Sequence, residues 1–173
     1  MADIRACKRE MLISMKIVEA SAQDKPLIES LMQSYLREVS VFDGSSPNPD
    51  GKFDLGKYFS LYWSEPTRFP YLFLEKEAPV GFALVRQIED TTYSVAEFYI
   101  KKEYRGRTLG RRFAQKLFSL HQGRWKVAEL EKNVPAQKFW RAVIHELTDG
   151  NFSEKWSEES PRGPMQEFTN TTD

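Results

Sequence analysis

The stretch 95–116 constrains the chain more than any other. Val95-Ala96-Glu97-Phe98-Tyr99-Ile100 is a β-branched and aromatic run of strand length. Leu109, Phe113, Leu117 and Leu120 follow at spacings of three and four residues, which predicts one buried face of a helix. Between the two lies the turn Arg105-Gly106-Arg107-Thr108-Leu109-Gly110. A buried strand therefore enters a basic, glycine-bearing turn, and the turn opens a helix. The first turn of a helix gathers backbone N–H groups without intrahelical partners and the positive end of the helix dipole. Gly106 and Gly110 lack a Cβ, so a ligand can come close to the backbone, and phosphate or pyrophosphate suits such a place. A Walker A loop is excluded because no Gly-Lys-Ser/Thr closes the turn, and the three-glycine dinucleotide spacing is absent.

With 40% apolar and 13% aromatic residues, 173 residues suffice for one well-buried core and one domain. Twenty-five basic residues balance 25 acidic ones, so net charge draws the chain neither to nucleic acid nor to a membrane surface. Charge is concentrated locally: between Lys101 and Lys116 seven Lys or Arg face only Glu103. Such a patch suits phosphate or a solvated helix face, and charge alone does not decide between them. A single Cys7 excludes an intramolecular disulfide, and one cysteine with two histidines predicts no metal site. No apolar run has transmembrane length and the N-terminus lacks the apolar core of a signal peptide, which points to a cytoplasmic location. Residues 1–14 show no period and are expected to be a disordered extension or leader. A single domain over 15–169 and a frayed tail over 170–173 complete the expected organisation.

Along the chain, Met15-Lys16-Ile17-Val18-Glu19-Ala20 predicts a first strand, and Leu27 to Val39 carry apolar residues at helical spacing. Residues 43–51 are a loop by composition. Leu55, Tyr58, Phe59 and Tyr62 again fit a helix, stopped by Pro66, and Tyr58, Tyr62 or Trp63 are candidates for a pocket wall. Segments 69–75 and 80–85 predict an antiparallel pair. After the basic helix come a strand at 125–130, a helix capped by Asn133 with Pro135 in its first turn, and a terminal hairpin.

At this point the chain resembles a known family. Tyr104-Arg105-Gly106-Arg107-Thr108-Leu109-Gly110 is similar to the acyl-CoA signature of the GNAT superfamily of N-acetyltransferases, Gln/Arg-x-x-Gly-x-Gly/Ala, with Thr108 where glycine is usual. Asn133-Val134-Pro135-Ala136-Gln137-Lys138-Phe139-Trp140 resembles the family's Asn-x-x-Ala-x-x-Phe-Tyr segment. The stretch from Gly123 through Ile144 also resembles a bacterial subgroup of predicted acetyltransferases. The resemblance covers about residues 15–169. It implies an α/β fold with a mixed, mostly antiparallel sheet, helices on both faces and a central splayed strand pair. It also implies acetyl-CoA as co-substrate and an amine of a small molecule or peptide as acceptor. Pantetheine would lie along Phe98, Tyr99 and Ile100, with one N–H there facing the thioester oxygen. The turn Arg105, Gly106, Arg107, Thr108, Leu109, Gly110 and Arg111 would hold the pyrophosphate, and Asn133, Phe139 and Trp140 would line the arm. Asn133 is also a plain helix cap, and the two uses compete for one side chain.

Catalytic candidates are Glu97 and Tyr99, which share a strand face by alternation. A carboxylate in an apolar strand is either the base, an anion that receives a cationic amine, or an ion-paired edge residue, and Glu129 and Glu75 are its rivals. Many relatives protonate the thiolate with a tyrosine where this chain has Trp140. An indole N–H is no realistic proton source, which leaves Tyr99, Tyr93, water or an unassisted thiolate. A non-catalytic acyl-CoA-binding module is the alternative, a nucleic-acid binder is disfavoured, and a homodimer is left open.

Overall fold

A computed structural model describes residues 15–106 and 108–170. The expectations for 1–14, for Arg107 and for 171–173 lie outside them. The elements are β1 (Met15–Glu19), α1 (Lys25–Asp43), a 3₁₀ turn (Phe59–Trp63), β2 (Arg68–Glu75), β3 (Ala78–Glu89), β4 (Thr92–Ile100), a 3₁₀ turn (Lys102–Tyr104), α2 (Leu109–Ser119), β5 (Arg124–Ala128), α3 (Val134–Thr148), β6 (Ser153–Ser157) and β7 (Gly163–Thr169). The strands form one seven-stranded sheet in the order β1-β2-β3-β4-β5-β7-β6. Every neighbouring pair is antiparallel except β4 with β5, whose connection contains α2.

Alternation along the strands sends apolar side chains to both faces, so the sheet needs a cover on each. On one face α2 and α3 bury Phe73, Val85, Val95, Trp125 and Val127 under Phe113, Phe118, Val143 and Ile144. On the other, Ile28, Leu31 and Met32 of α1 with Phe59 and Tyr62 cover Leu72, Phe82, Leu84 and Tyr99. The amphipathic stripes in the sequence thus have their partners, and the mixed sheet with helices on both faces is as expected.

One local expectation fails. The aromatic segment 53–63 is helical only as the Phe59–Trp63 turn. Asp54 Oδ1 accepts from Gly56 N at 2.9 Å, and Gly56 sits at φ +77°, so a local turn displaces the helix. Gln33 of α1 holds Phe53 through both its amide N–H and its carbonyl, fixing the loop to α1. The Asn170 side chain donates to the carbonyls of Phe118 and His121 and accepts from Gly123 N at 2.9 Å.

Candidate active site

The parallel ladder between β4 and β5 runs from Thr92–Arg124 to Val95–Val127 and stops. Both strands continue, β4 paired to β3 as far as Ile100 and β5 paired to β7 as far as Ala128. Among the described residues, the edge of β4 over 96–100 that would face β5 therefore has no strand beside it, and the sheet is open at its centre. A cleft of about 300 Å³ fills this opening. Tyr35, Leu36, Val39 and Asp43 of α1 line it from one side, and Asn133, Ala136 and Trp140 of α3 from the other. Val95 to Phe98, Val127 to Leu130 and the Ser160-Pro161 turn complete the wall.

A bulge sets which face each β4 residue takes. Leu84 pairs with Glu97 and Val85 with Val95, leaving Ala96 as the extra residue. Tyr93 and Val95 therefore share the α2/α3 face with Phe98 and Ile100, while Glu97 and Tyr99 turn toward α1. The exchange of faces by Glu97 and Tyr99 together agrees with the alternation argument. Glu97 has its carboxyl pushed up to about 7 by burial, partly offset by the facing Tyr35 hydroxyl and by the Arg86 guanidinium. Arg86 Nε is itself buried without a hydrogen-bond partner among the described residues. Near neutral pH Glu97 thus exists in both protonation states, which suits a group that must accept a proton.

Tyr99 is placed differently from Glu97. Its hydroxyl donates to Glu38 of α1 at 3.3 Å, under the Arg105 guanidinium, and it lies outside the cleft lining. Burial and then Glu38 push the phenol above its ordinary value, so it holds its proton firmly. Arg105 is also engaged: Nε donates to Ile100 O at 2.8 Å and Nη1 pairs with Glu38 at 2.8 Å. It ties the end of β4 to α1.

Among the described residues, the first helical bond of α2 runs from Arg112 N to Thr108 O, the Thr108 side chain does not cap the helix, and no acidic residue occupies the first turn. Leu109, Gly110 and Arg111 carry the N–H groups of that turn. Thr108 sits at φ +60°, a left-handed conformation that a β-branched residue resists. Gly106 is also left-handed, with open space where a Cβ would stand. Arg111 pairs with Glu146 of α3 at 3.0 Å on the surface. These residues fit a pyrophosphate: helix-start donors, basic neighbours and no competing carboxylate in the first turn.

Across the opening, Asn133 caps α3 by accepting from Ala136 N at 3.2 Å. Trp140 is 6% exposed and packs with Phe98, Phe118 and Phe139 at centroid distances of 5.0, 5.8 and 5.0 Å. Phe139 also lies over Gly110, joining α3 to the start of α2. Tyr62 and Trp63 line a separate surface depression beside β1, and Tyr58 is exposed, so none of the three reaches the cleft.

Glu129, named from sequence only as a rival base, is 4% exposed and lines the cleft. Gln166 donates to its Oε2 at 3.3 Å, and Oε1 has no hydrogen-bond partner among the described residues. Burial pushes its carboxyl up to about 8, with the Glu154 charge adding to the effect. Among the described residues no group of three His, Cys, Asp or Glu is set to hold a metal ion. Nor is any described helix long and apolar enough to cross a membrane.

A family model described as acetyltransferase (GNAT) family matches residues 28–143. No curated protein matches the chain by sequence. Solved structures share the fold at low identity. An acetyltransferase from Thermus thermophilus superposes with a TM-score of 0.70 at 16% identity, covering 91% of this chain and 97% of that one. The PaiA N-acetyltransferase from Thermoplasma acidophilum, in complex with coenzyme A, gives 0.61 at 13%, covering 91% and 99%. The aminoglycoside acetyltransferase AAC(6')-Ib with coenzyme A and kanamycin gives 0.62 at 12%, covering 90% and 95%. With the family match spanning most of the chain, this protein belongs to the GNAT family of acetyltransferases.

Proposed function

We propose that this protein transfers an acetyl group from acetyl-CoA to the amine of a small molecule or peptide, by direct attack of the amine on the thioester. The observation that carries this reading is the opening of the sheet at Val95 and Val127, with the start of α2 set at the end of β4, where Gly110 lies against Ile100 and Phe139. A pantetheine arm in the opening would meet the free edge of β4, and its pyrophosphate would meet the N–H groups of Leu109, Gly110 and Arg111. The neighbours solved with coenzyme A make that ligand the natural one to test.

The acceptor enters from the α1 side. Among the described residues lining the cleft, Asp43, Glu97 and Glu129 are acidic and none is Lys, Arg or His. A cationic amine is drawn to such a lining, and it must lose a proton before its nitrogen can attack. Glu97, held near neutral pH, is the base that takes this proton. A β4 backbone N–H in 96–100 would stabilise the carbonyl oxygen as it gains charge. Trp140, in place of a phenol, favours the second reading of an acyl-CoA-binding module without turnover.

Mass spectrometry of an amine panel incubated with acetyl-CoA and the protein separates the two. Acetylated product that requires enzyme supports transfer. CoA binding by calorimetry with no acetylated amine supports the binding module, and no CoA binding rejects both.

A further inference from the structure

We propose that Glu129 is the acid of the transfer: its Oε1 holds the proton that passes to the departing sulfur, the task Trp140 cannot perform. The inference rests on the proposed acetyl transfer and concerns which group completes it.

The two cleft carboxyls stand on opposite faces of the sheet. Glu97 turns toward α1, the side of the acceptor, beside Tyr35 and Arg86. Glu129 follows Trp125 and Val127 in alternation, and both of those are buried with Trp140 under α2 and α3. Base and acid thus flank the opening from two sides, as attack from one side and departure toward the other require.

Glu129 is also held in place. Gln166, fully buried on β7, donates to Glu129 Oε2 and to Glu154 Oε2 of β6, the second at 2.7 Å. Glu154 is clamped by Arg141 of α3 through two bonds of 2.7 and 2.8 Å. The backbone is fixed as well: Glu129 N donates to Pro164 O, and a Cβ on Gly163 would come within 2.1 Å of Glu129 O. One carboxyl oxygen is thereby committed to Gln166, while the other is buried without a partner among the described residues, on a side chain that borders the cleft. A buried carboxylate so placed is costly, and a carboxylic acid much less so. The charged groups facing it are Glu154, which favours the proton, and Arg141, which opposes it, with burial the larger influence.

The step balances. The ammonium first gives a proton to Glu97, which releases it to water; the neutral nitrogen then bonds to the carbonyl carbon and gives its second proton to Glu97. The carbon–sulfur bond breaks with its electron pair on sulfur, and sulfur takes the Glu129 proton to leave as a thiol. Exchange with water then deprotonates Glu97 and reprotonates Glu129.

The test has two readouts. In the apo protein, NMR titration of ¹³C-carboxyl glutamates should show one group titrating at about 8 that disappears in Glu129→Gln. In kinetics, Glu129→Gln should keep its CoA affinity, lose about a hundredfold in kcat, and lose the alkaline limb of the pH–rate profile. Adding Trp140→Tyr to Glu129→Gln should restore turnover, which a merely structural role for Glu129 would not allow. Wild-type turnover with an intact alkaline limb in Glu129→Gln overturns the proposal. So does a wild-type Glu129 that titrates in the ordinary carboxylate range, and this outcome stands even where the glutamine variant does not fold. A wild type that acetylates no amine overturns the reaction itself and is seen before any variant is made.

Discussion

Trp140 serves packing. Its ring fills the space among Phe98, Phe118 and Phe139, and Trp140→Ala would leave a cavity costing about 3–5 kcal/mol. Trp140→Phe should lose far less stability and keep most of the turnover. Urea denaturation and steady-state kinetics on the two variants check this, and a large kcat loss in a well-folded Trp140→Phe would give the indole N–H a direct part. Thr108 makes the opposite case, a side chain in a backbone position that suits glycine. At φ +60° the left-handed conformation costs about 1–2 kcal/mol in a residue with a Cβ. Glycine returns part of that gain as chain entropy, and the melting temperature of Thr108→Gly sets the strain relieved against the threonine's own contacts. A lower melting temperature for this variant would show that the threonine side chain contributes more than its backbone strain removes.

At the scale of elements, the start of α2 is where folding and binding pull in opposite directions. A Cβ on Gly110 would touch Phe139 at 3.5 Å, ordinary contact, so Gly110→Glu fits the fold. A carboxylate in the first turn also complements the helix dipole, by about 0.3–1 kcal/mol. The same carboxylate would repel a pyrophosphate. Gly110→Glu should therefore melt no lower than wild type while losing CoA binding in calorimetry, and undiminished affinity would move the pyrophosphate elsewhere. This turn was legible in the sequence because strand, glycine and helix signals are local and adjacent. The splayed strand pair was legible only through family resemblance, since nothing in Val127-Ala128-Glu129-Leu130 says where a ladder ends. The Ala96 bulge left no sequence signal, and neither did the diversion of Arg105 to Ile100 O and Glu38. Glu129 looked like any strand carboxylate, because its burial depends on Gln166 and Gly163, more than thirty residues away. The segment 53–63 misled because its aromatic spacing is helical while Asp54 and Gly56 close a turn.

For the molecule as a whole, two carboxyls at the centre of the sheet, Glu129 buried and Glu97 half-buried, couple stability to pH. Glu97 and Glu129 are pushed up to about 7 and about 8, well above an unfolded glutamate. Above the unfolded value the native state binds more protons than the unfolded chain, so stability falls as pH rises toward the folded values. His121 acts in the other sense, since burial lowers its value, but only below its ordinary value of 6.5. The apo melting temperature should accordingly fall between about pH 6.5 and pH 8, and Glu129→Gln should flatten that fall. A melting temperature that rises over this range in wild type would remove the buried protons from the centre of the sheet. In the proposed transfer the same carboxyls govern the activity, so the decisive measurement is amine-dependent thiol release from acetyl-CoA, followed against pH in wild type and Glu97→Gln. The expected result is release that needs both amine and enzyme, rising through about pH 7 as Glu97 ionises, with that rise and most of the rate lost in Glu97→Gln. Thiol release that is independent of amine, or absent with every amine while CoA binds tightly, would contradict it.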